Sequence, residues 1–157
     1  MQRKHLTKEQ AFQKLKQYCA YQERSHHEAK QKLWELGVNK VEHDGIIALL
    51  IEEDYLNEER FAIQYAGGKF RMNQWGKKKI YYALREKKLS EYCIKKALAQ
   101  IDEEDYMKTL HDLAEKKYSS LTGEQHLVRK KKTIDYLLQK GFESEHVQSI
   151  VGSLSQT

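Results

Sequence analysis

Apolar residues recur along this chain at three- and four-residue intervals, in stretches broken by short turns bearing glycine, serine or lysine. That period predicts helices with one buried face. The first runs from about Lys8 to Gln22, with Phe12, Leu15, Cys19 and Tyr18 on its inner side. Ser25 begins a second, as a capping box in which its hydroxyl accepts from the third amide and Glu28 reaches back. Gly37 ends that helix, since a left-handed residue closes a helix most easily as glycine. A third, from Val41 to Glu53, turns Ile46, Ile47, Leu49 and Leu50 inward.

The same order follows twice more. Asn57 caps a helix whose first turn holds Glu58 and Glu59, favourable at a positive dipole end. Phe61, Tyr65, Gly68 and Met72 are expected along its inner face. Gly67-Gly68 weakens it by about 1 kcal/mol per glycine relative to alanine, so a break or a closely packed helix is expected there. After Trp75-Gly76, Ile80, Ala83 and Leu84 line the next helix, and Ser90 caps one with Ile94, Ala97 and Leu98. The acidic run Asp102-Glu103-Glu104-Asp105 opens a seventh, with Leu110, Leu113, Ala114 and Tyr118, and Ser119 to Gly123 form a loop. Leu127, Ile134, Leu137 and Leu138 mark the eighth, ended by Gly141; Val147, Ile150, Val151 and Leu154 mark the last. Residues 1–5 and 155–157 are expected to fray.

Aligning Val38, Leu89 and Phe142 brings Leu33, Leu84 and Leu137 into register, at spacings of 51 and 53 residues. A period of this size indicates a supersecondary unit used several times, each copy too small to bury a core alone. The expectation is an all-α fold of three tandem three-helix repeats, residues 6–54, 55–101 and 102–154, in an elongated, curved array. The linking residues Tyr55, Leu56 and Ile101 should sit in contacts shared between neighbours.

Composition agrees with helix. There is no proline in 157 residues, so long helices can run unbroken. The 28 basic and 23 acidic residues leave a net charge of +5, which permits attraction to a polyanion but is also met by a solvated helical surface of paired charges. Cys19 and Cys93 lack partners at metal-ligand spacing and read as small core residues in a reducing compartment. No apolar run approaches a membrane span, and the polar start carries no signal-peptide core. A cytoplasmic protein is expected.

No nucleotide-binding, hydrolase or zinc-protease motif occurs, so neither catalytic residue nor cofactor is assigned. His26 and His27 point about 100° apart on a helix and cannot share one metal ion well; no metal site is expected. The basic runs are more informative once placed on helices. Lys78, Tyr82 and Arg85, flanked by Lys79, oppose Ile80 and Leu84. Arg129, Lys132, Tyr136 and Lys140 form the corresponding line in the third repeat, and Arg71, Lys69, Lys95 and Lys96 add charge near the middle. A tyrosine among cations can stack on a base or a partner, or simply cover lysine stems. Trp75 reads foremost as a plug at the helix corner, and less as a binding residue.

The segment Asp54-Tyr55-Leu56-Asn57-Glu58-Glu59-Arg60-Phe61-Ala62 resembles the G-Y-L-[DN]-[DE]-x-R-F-[AV] signature of the RecX family, regulators of RecA. The likeness continues through Trp75-Gly76, through Ile80, Leu84 and Lys87-Lys88-Leu89, and into Tyr21 to Glu28 and Tyr136 to Phe142. It covers roughly residues 8–152. Asp54 and Lys88 depart from the pattern where the family carries glycine, and Gly67-Gly68 where it carries larger residues.

The resemblance implies a non-enzymatic regulator that lies along the RecA filament on single-stranded DNA and inhibits strand exchange, ATP hydrolysis and coprotease action. A monomer without membrane contact is expected, with DNA contacted through its phosphates. Arg71, Lys78, Lys79, Tyr82, Arg85, Arg129, Lys132 and Tyr136 are then the candidates for contact with RecA or DNA. Tyr55, Leu56, Arg60, Phe61, Trp75 and Gly76 would be structural motif residues at the joints; the residues leave open whether Arg60 pairs within the chain or faces the partner. A competing reading is a helix-turn-helix-like DNA-binding regulator, although the exposed helices carry Lys and Tyr rather than the Arg, Asn and Gln that read base edges.

Overall fold

The computed structural model describes residues 6–156; the start and the last residue of the expected frayed ends lie outside them, while Ser155 is helical. Among the described residues the chain is nine α-helices and no strand: α1 Lys8–Tyr21, α2 His26–Glu35, α3 Lys40–Glu52, α4 Glu58–Asn73, α5 Lys77–Glu86, α6 Glu91–Ala99, α7 Glu103–Ser120, α8 His126–Gln139 and α9 Ser144–Ser155. Neighbours in sequence pack together, α1 with α2 and α3, α4 with α5 and α6, α7 with α8 and α9. The result is an all-α helical repeat array.

Side-chain caps start most helices. The hydroxyl of Ser25 accepts the Glu28 amide at 3.1 Å, Asn57 the Arg60 amide at 2.9 Å, Ser90 the Cys93 amide at 3.2 Å and Asp102 the Asp105 amide at 3.0 Å. A full capping box forms at Thr7 and Gln10. At Ser25 it is only half formed. The Glu28 carboxylate faces the Ser25 hydroxyl at 3.4 Å and the cations of Arg24 and Lys87 at 4.0 and 3.5 Å, because two positive charges outcompete one backbone amide.

The second helix of each triplet ends identically. Gly37, Lys88 and Gly141 take positive φ of 72°, 67° and 99°. The amides of Val38, Leu89 and Phe142 then bond back to the carbonyls of Leu33, Leu84 and Leu137, at 3.1, 3.4 and 3.3 Å. All six of these residues are buried. The repeat seen in the sequence is therefore a repeat of main-chain geometry, held at Lys88 against its side chain's preference.

Some faces differ from expectation. On α4 the buried line is Ala62, Ala66 and Phe70, with Phe61 and Gly67 beside it; the alanines let α6 come close, and Met72, about 200° around the helix from Phe70, is 84% exposed. Gly68 has open space where a Cβ would sit. Helix α4 is continuous through both glycines, and what covers Gly67 is its own Arg71, whose guanidinium would lie 2.6 Å from a Cβ there. On α8 the inner residues are Thr133 and Leu137, one turn apart, and Leu127 and Leu138 fall off that line and are exposed. Helix α7 runs through Ser120, so the following turn starts later than expected.

Two apolar clusters result. One, from Ala11 to Leu56, fills the first triplet, with Tyr55 packed on it. The other is continuous from Phe61 to Val151 through the second and third triplets and includes Ile101. Leu56 therefore closes the first core, and Ile101 is shared.

Candidate functional site

The sequence Trp75-Gly76-Lys77 places the start of α5 against the turn between α8 and α9. The Gly76 amide donates to the Lys140 carbonyl at 2.7 Å and the Lys78 amide to the Gly141 carbonyl at 2.9 Å. Backbones meet so closely that a Cβ on Gly76 would lie 2.2 Å from the Gly141 carbonyl carbon. A Cβ on Gly141 would lie 2.4 Å from that of Lys79. Only glycine at both positions permits this approach.

Tyr106 locks the same joint from below. Its hydroxyl accepts the Lys77 amide at 2.9 Å and donates to the Glu143 carboxylate at 2.9 Å. Its ring lies between Phe70 and Phe142, with centroids 5.7 and 5.3 Å away. Burial pushes the phenol well above its ordinary range, so it stays protonated and keeps donating.

On the surface of this joint, lysines gather on two half-buried rings. The ammonium groups of Lys69 and Lys79 lie 4.9 and 4.7 Å from the Trp75 ring centre. Those of Lys117 and Lys140 lie 5.0 and 5.8 Å from Tyr136. Lys140 also donates to the Asn73 carbonyl at 3.2 Å, which ties the two ring sites together. Among the described residues none of these four lysines has a carboxylate within ion-pair distance. The rings order the cations at low entropic cost and leave their charge uncompensated, a setting suited to an incoming anion.

The candidates from the sequence separate here. Lys78, Tyr82 and Arg85 are exposed on α5, and Tyr82 meets the Tyr81 ring edge-on at 5.4 Å. Lys79 and Tyr136 join the lysine cluster, and Trp75 packs on the second core beneath it. Arg129 is instead fixed to α7, its guanidinium 3.6 Å from the Tyr118 ring and its Nε 2.8 Å from the Tyr118 carbonyl. Lys132 is held by Glu124 at 2.8 Å. Arg71 lies back over Gly67. Lys117 escaped the sequence reading because it sits on another helix, and no local spacing relates it to Tyr136.

The joint between the first and second triplets has a different chemistry. Arg60 pairs with Glu23, with the Asp54 carboxylate at 3.1 Å and with the Asp54 carbonyl at 3.0 Å. These carboxylates hold its pKa above the ordinary value. His26 faces Glu58 at 3.6 Å, and Lys87 faces Glu28 at 3.5 Å. Phe61 is buried in the second core and Leu56 in the first, so the motif residues flank the crossing. Elsewhere, His111, Asp112 and Glu115 on α7 could reach one ion, but all three are exposed, and such groups are common on helix surfaces.

Residues 57–98 match the family model described as RecX, second three-helix domain, and residues 103–151 match RecX, third three-helix domain. The chain belongs to the RecX family. It is 36% identical over 130 residues to the regulatory protein RecX of Clostridium perfringens, covering 82% of this chain and 60% of that protein. To the regulatory protein RecX of Bacillus cytotoxicus it is 26% identical over 148 residues, 94% of this chain and 55% of that one. The chain thus spans little more than half the length of these RecX relatives.

The crystal structure of RecX from Lactobacillus salivarius superimposes with a TM-score of 0.87 at 23% identity, over 96% of this chain and 97% of that one. A second crystal structure, of regulatory protein RecX, gives 0.82 at 22%, over 98% and 81%. At these identities they speak for the fold alone. Among the described residues no helix is long and apolar enough to cross a membrane.

Proposed function

We propose that this RecX-family chain is a cytoplasmic regulator without catalysis of its own, which binds the RecA filament on single-stranded DNA as a monomer. There it restrains strand exchange, ATP hydrolysis and coprotease action. Its three repeats, residues 6–54, 55–101 and 102–154, lie along the filament, each contact weak and the sum firm. The observation that carries this reading is the group of four uncompensated lysines on Trp75 and Tyr136. With Lys78 and Arg85 on the neighbouring exposed face, it supplies attraction to DNA phosphates or to an acidic filament surface. Arg129 and Lys132 act on this surface mainly by bracing α8.

The test is RecA ATPase on single-stranded DNA with the protein titrated in. Wild type is expected to suppress turnover at near-stoichiometric ratios. A variant with Lys78, Lys79 and Arg85 all changed to Glu is expected to need about ten-fold more protein. A wild type without effect across that range removes the reading; intact inhibition by the variant removes this face from the contact.

A further inference from the structure

A groove runs along α4 on a side distinct from the lysine cluster. Three depressions of about 630, 190 and 360 Å³ follow one another, sharing Ile63, Phe70, Asp105 and, in all three, Arg71. The groove starts at Glu23 in the first triplet and ends at Asp112 on α7 in the third. Lys69 and Arg71 lie about 200° apart around the helix axis, so the two surfaces look in different directions.

The lining is apolar at the base and mainly acidic at the rim. Ile63, Phe70, Ala97 and Ile101 form the floor beneath Arg71. Glu23, Glu59, Asp102, Asp105 and Asp112 stand around it, with Glu59 paired to Lys96 at 3.2 Å and Asp102 capping α7. Arg60, Arg71 and Lys108 are the cations along its length, and Arg60 is already committed to Glu23 and Asp54. Among the described residues, Asp105 and Asp112 have no lysine or arginine within ion-pair distance, although Asp112 faces His111 at 3.8 Å. At the first end, one carboxylate oxygen of Glu23 is buried without a hydrogen-bond partner among the described residues.

We infer that this groove is a second docking surface, for a cationic protein segment with apolar side chains, and that the lysine cluster is left to the nucleic acid. A phosphate backbone is repelled by the rim. A lysine- or arginine-bearing segment satisfies Asp105 and Asp112 while its apolar residues cover half-buried Ile63 and the remaining edges of Phe70 and Ile101. Arg71, held in place because Gly67 has no Cβ, requires an acidic or carbonyl group at the middle of that segment. In the proposed function the segment belongs to RecA, so the inference rests on that reading for the partner's identity only.

The experiment compares wild type with the double variant Asp105→Lys/Asp112→Lys, its helicity checked by circular dichroism, against three probes. These are a lysine–leucine amphipathic peptide, a bare single-stranded oligonucleotide and the RecA filament, all read by fluorescence anisotropy. Asp105→Asn/Asp112→Asn serves as the milder variant should the reversal disturb α7. Wild type is expected to prefer the lysine–leucine peptide over a lysine–serine peptide of equal charge by about ten-fold, a preference the variant loses. The variant should hold the bare oligonucleotide at least as tightly as wild type. Equal binding of both peptides by wild type, or unchanged peptide binding by the variants, overturns the groove. A wild type that takes the peptide but ignores the filament leaves the groove standing and overturns the RecA assignment. Peptide competition with self-association of the chain would give the groove to a second copy and overturn the inference.

Discussion

The two joints of this chain solve one problem by opposite means. Between the first and second triplets the crossing is made by ion pairs, Arg60 with Glu23, His26 with Glu58 and Lys87 with Glu28, whose side chains are 24–37% exposed. Each such pair contributes roughly 0–1 kcal/mol and weakens in salt. Between the second and third, main chain bonds to main chain, Tyr106 is buried at the contact, and one apolar cluster continues across. The array is therefore one triplet attached to a fused pair. Equal repeats in sequence do not give equal coupling, because coupling depends on the few residues at each boundary.

The strongest way to break the comparison is Gly76→Ala. The new methyl cannot coexist with the Gly141 backbone, and a loss of more than about 3 kcal/mol is expected in urea unfolding, with the lysine cluster dispersed. A loss below 1 kcal/mol would mean that the second joint is as pliable as the first. Tyr106→Phe is the next step down. It takes the acceptor from the Lys77 amide and one donor from Glu143, for about 1–2 kcal/mol by the same measurement.

A gain tests the repeat itself. Lys88 holds φ at 67° where its counterparts are glycine, so Lys88→Gly is expected to raise stability by about 0.5–1 kcal/mol. The smallest effect belongs to the first joint. Arg60→Met is expected to cost about 1 kcal/mol or less at low salt, and the difference from wild type should fade by about 0.5 M. Hydrogen exchange sharpens the contrast. Amides in α1 to α3 should open separately from those in α4 to α9, whereas uniform protection would argue for a single cooperative unit.

What the sequence made legible was local. The caps at Asn57 and Ser90, the acidic start of α7 and the left-handed closures at Gly37 and Gly141 depend on residues within one turn, so composition and spacing reveal them. Helix faces were less secure. Leu127 and Leu138 continue an apolar period on α8, yet only Thr133 and Leu137 are buried, with Ile134 and Tyr136 packed at the edge, since the breadth of a buried face is decided by what packs on it. Ile101, Arg60 and Gly76 were expected at the joints, but their partners across each boundary were hidden. Nothing near Arg60 names Glu23, nothing near Tyr106 names Lys77 and Glu143, and the mutual approach of Gly76 and Gly141 becomes visible only when distant turns meet. Tyr106 itself directly follows the acidic run that opens α7, and nothing in that run marks it as a core residue. The lysine cluster followed the same rule: each charge was evident, but its convergence with Lys117 was not.

Because the second joint is fastened through carbonyls and amides, the spacing of its two repeats is insulated from the identity of the surrounding side chains. Lysines there can be exchanged for other groups to retune what the surface attracts, while the distance between the two repeats stays fixed. A ruler of this kind can change its markings without changing its length.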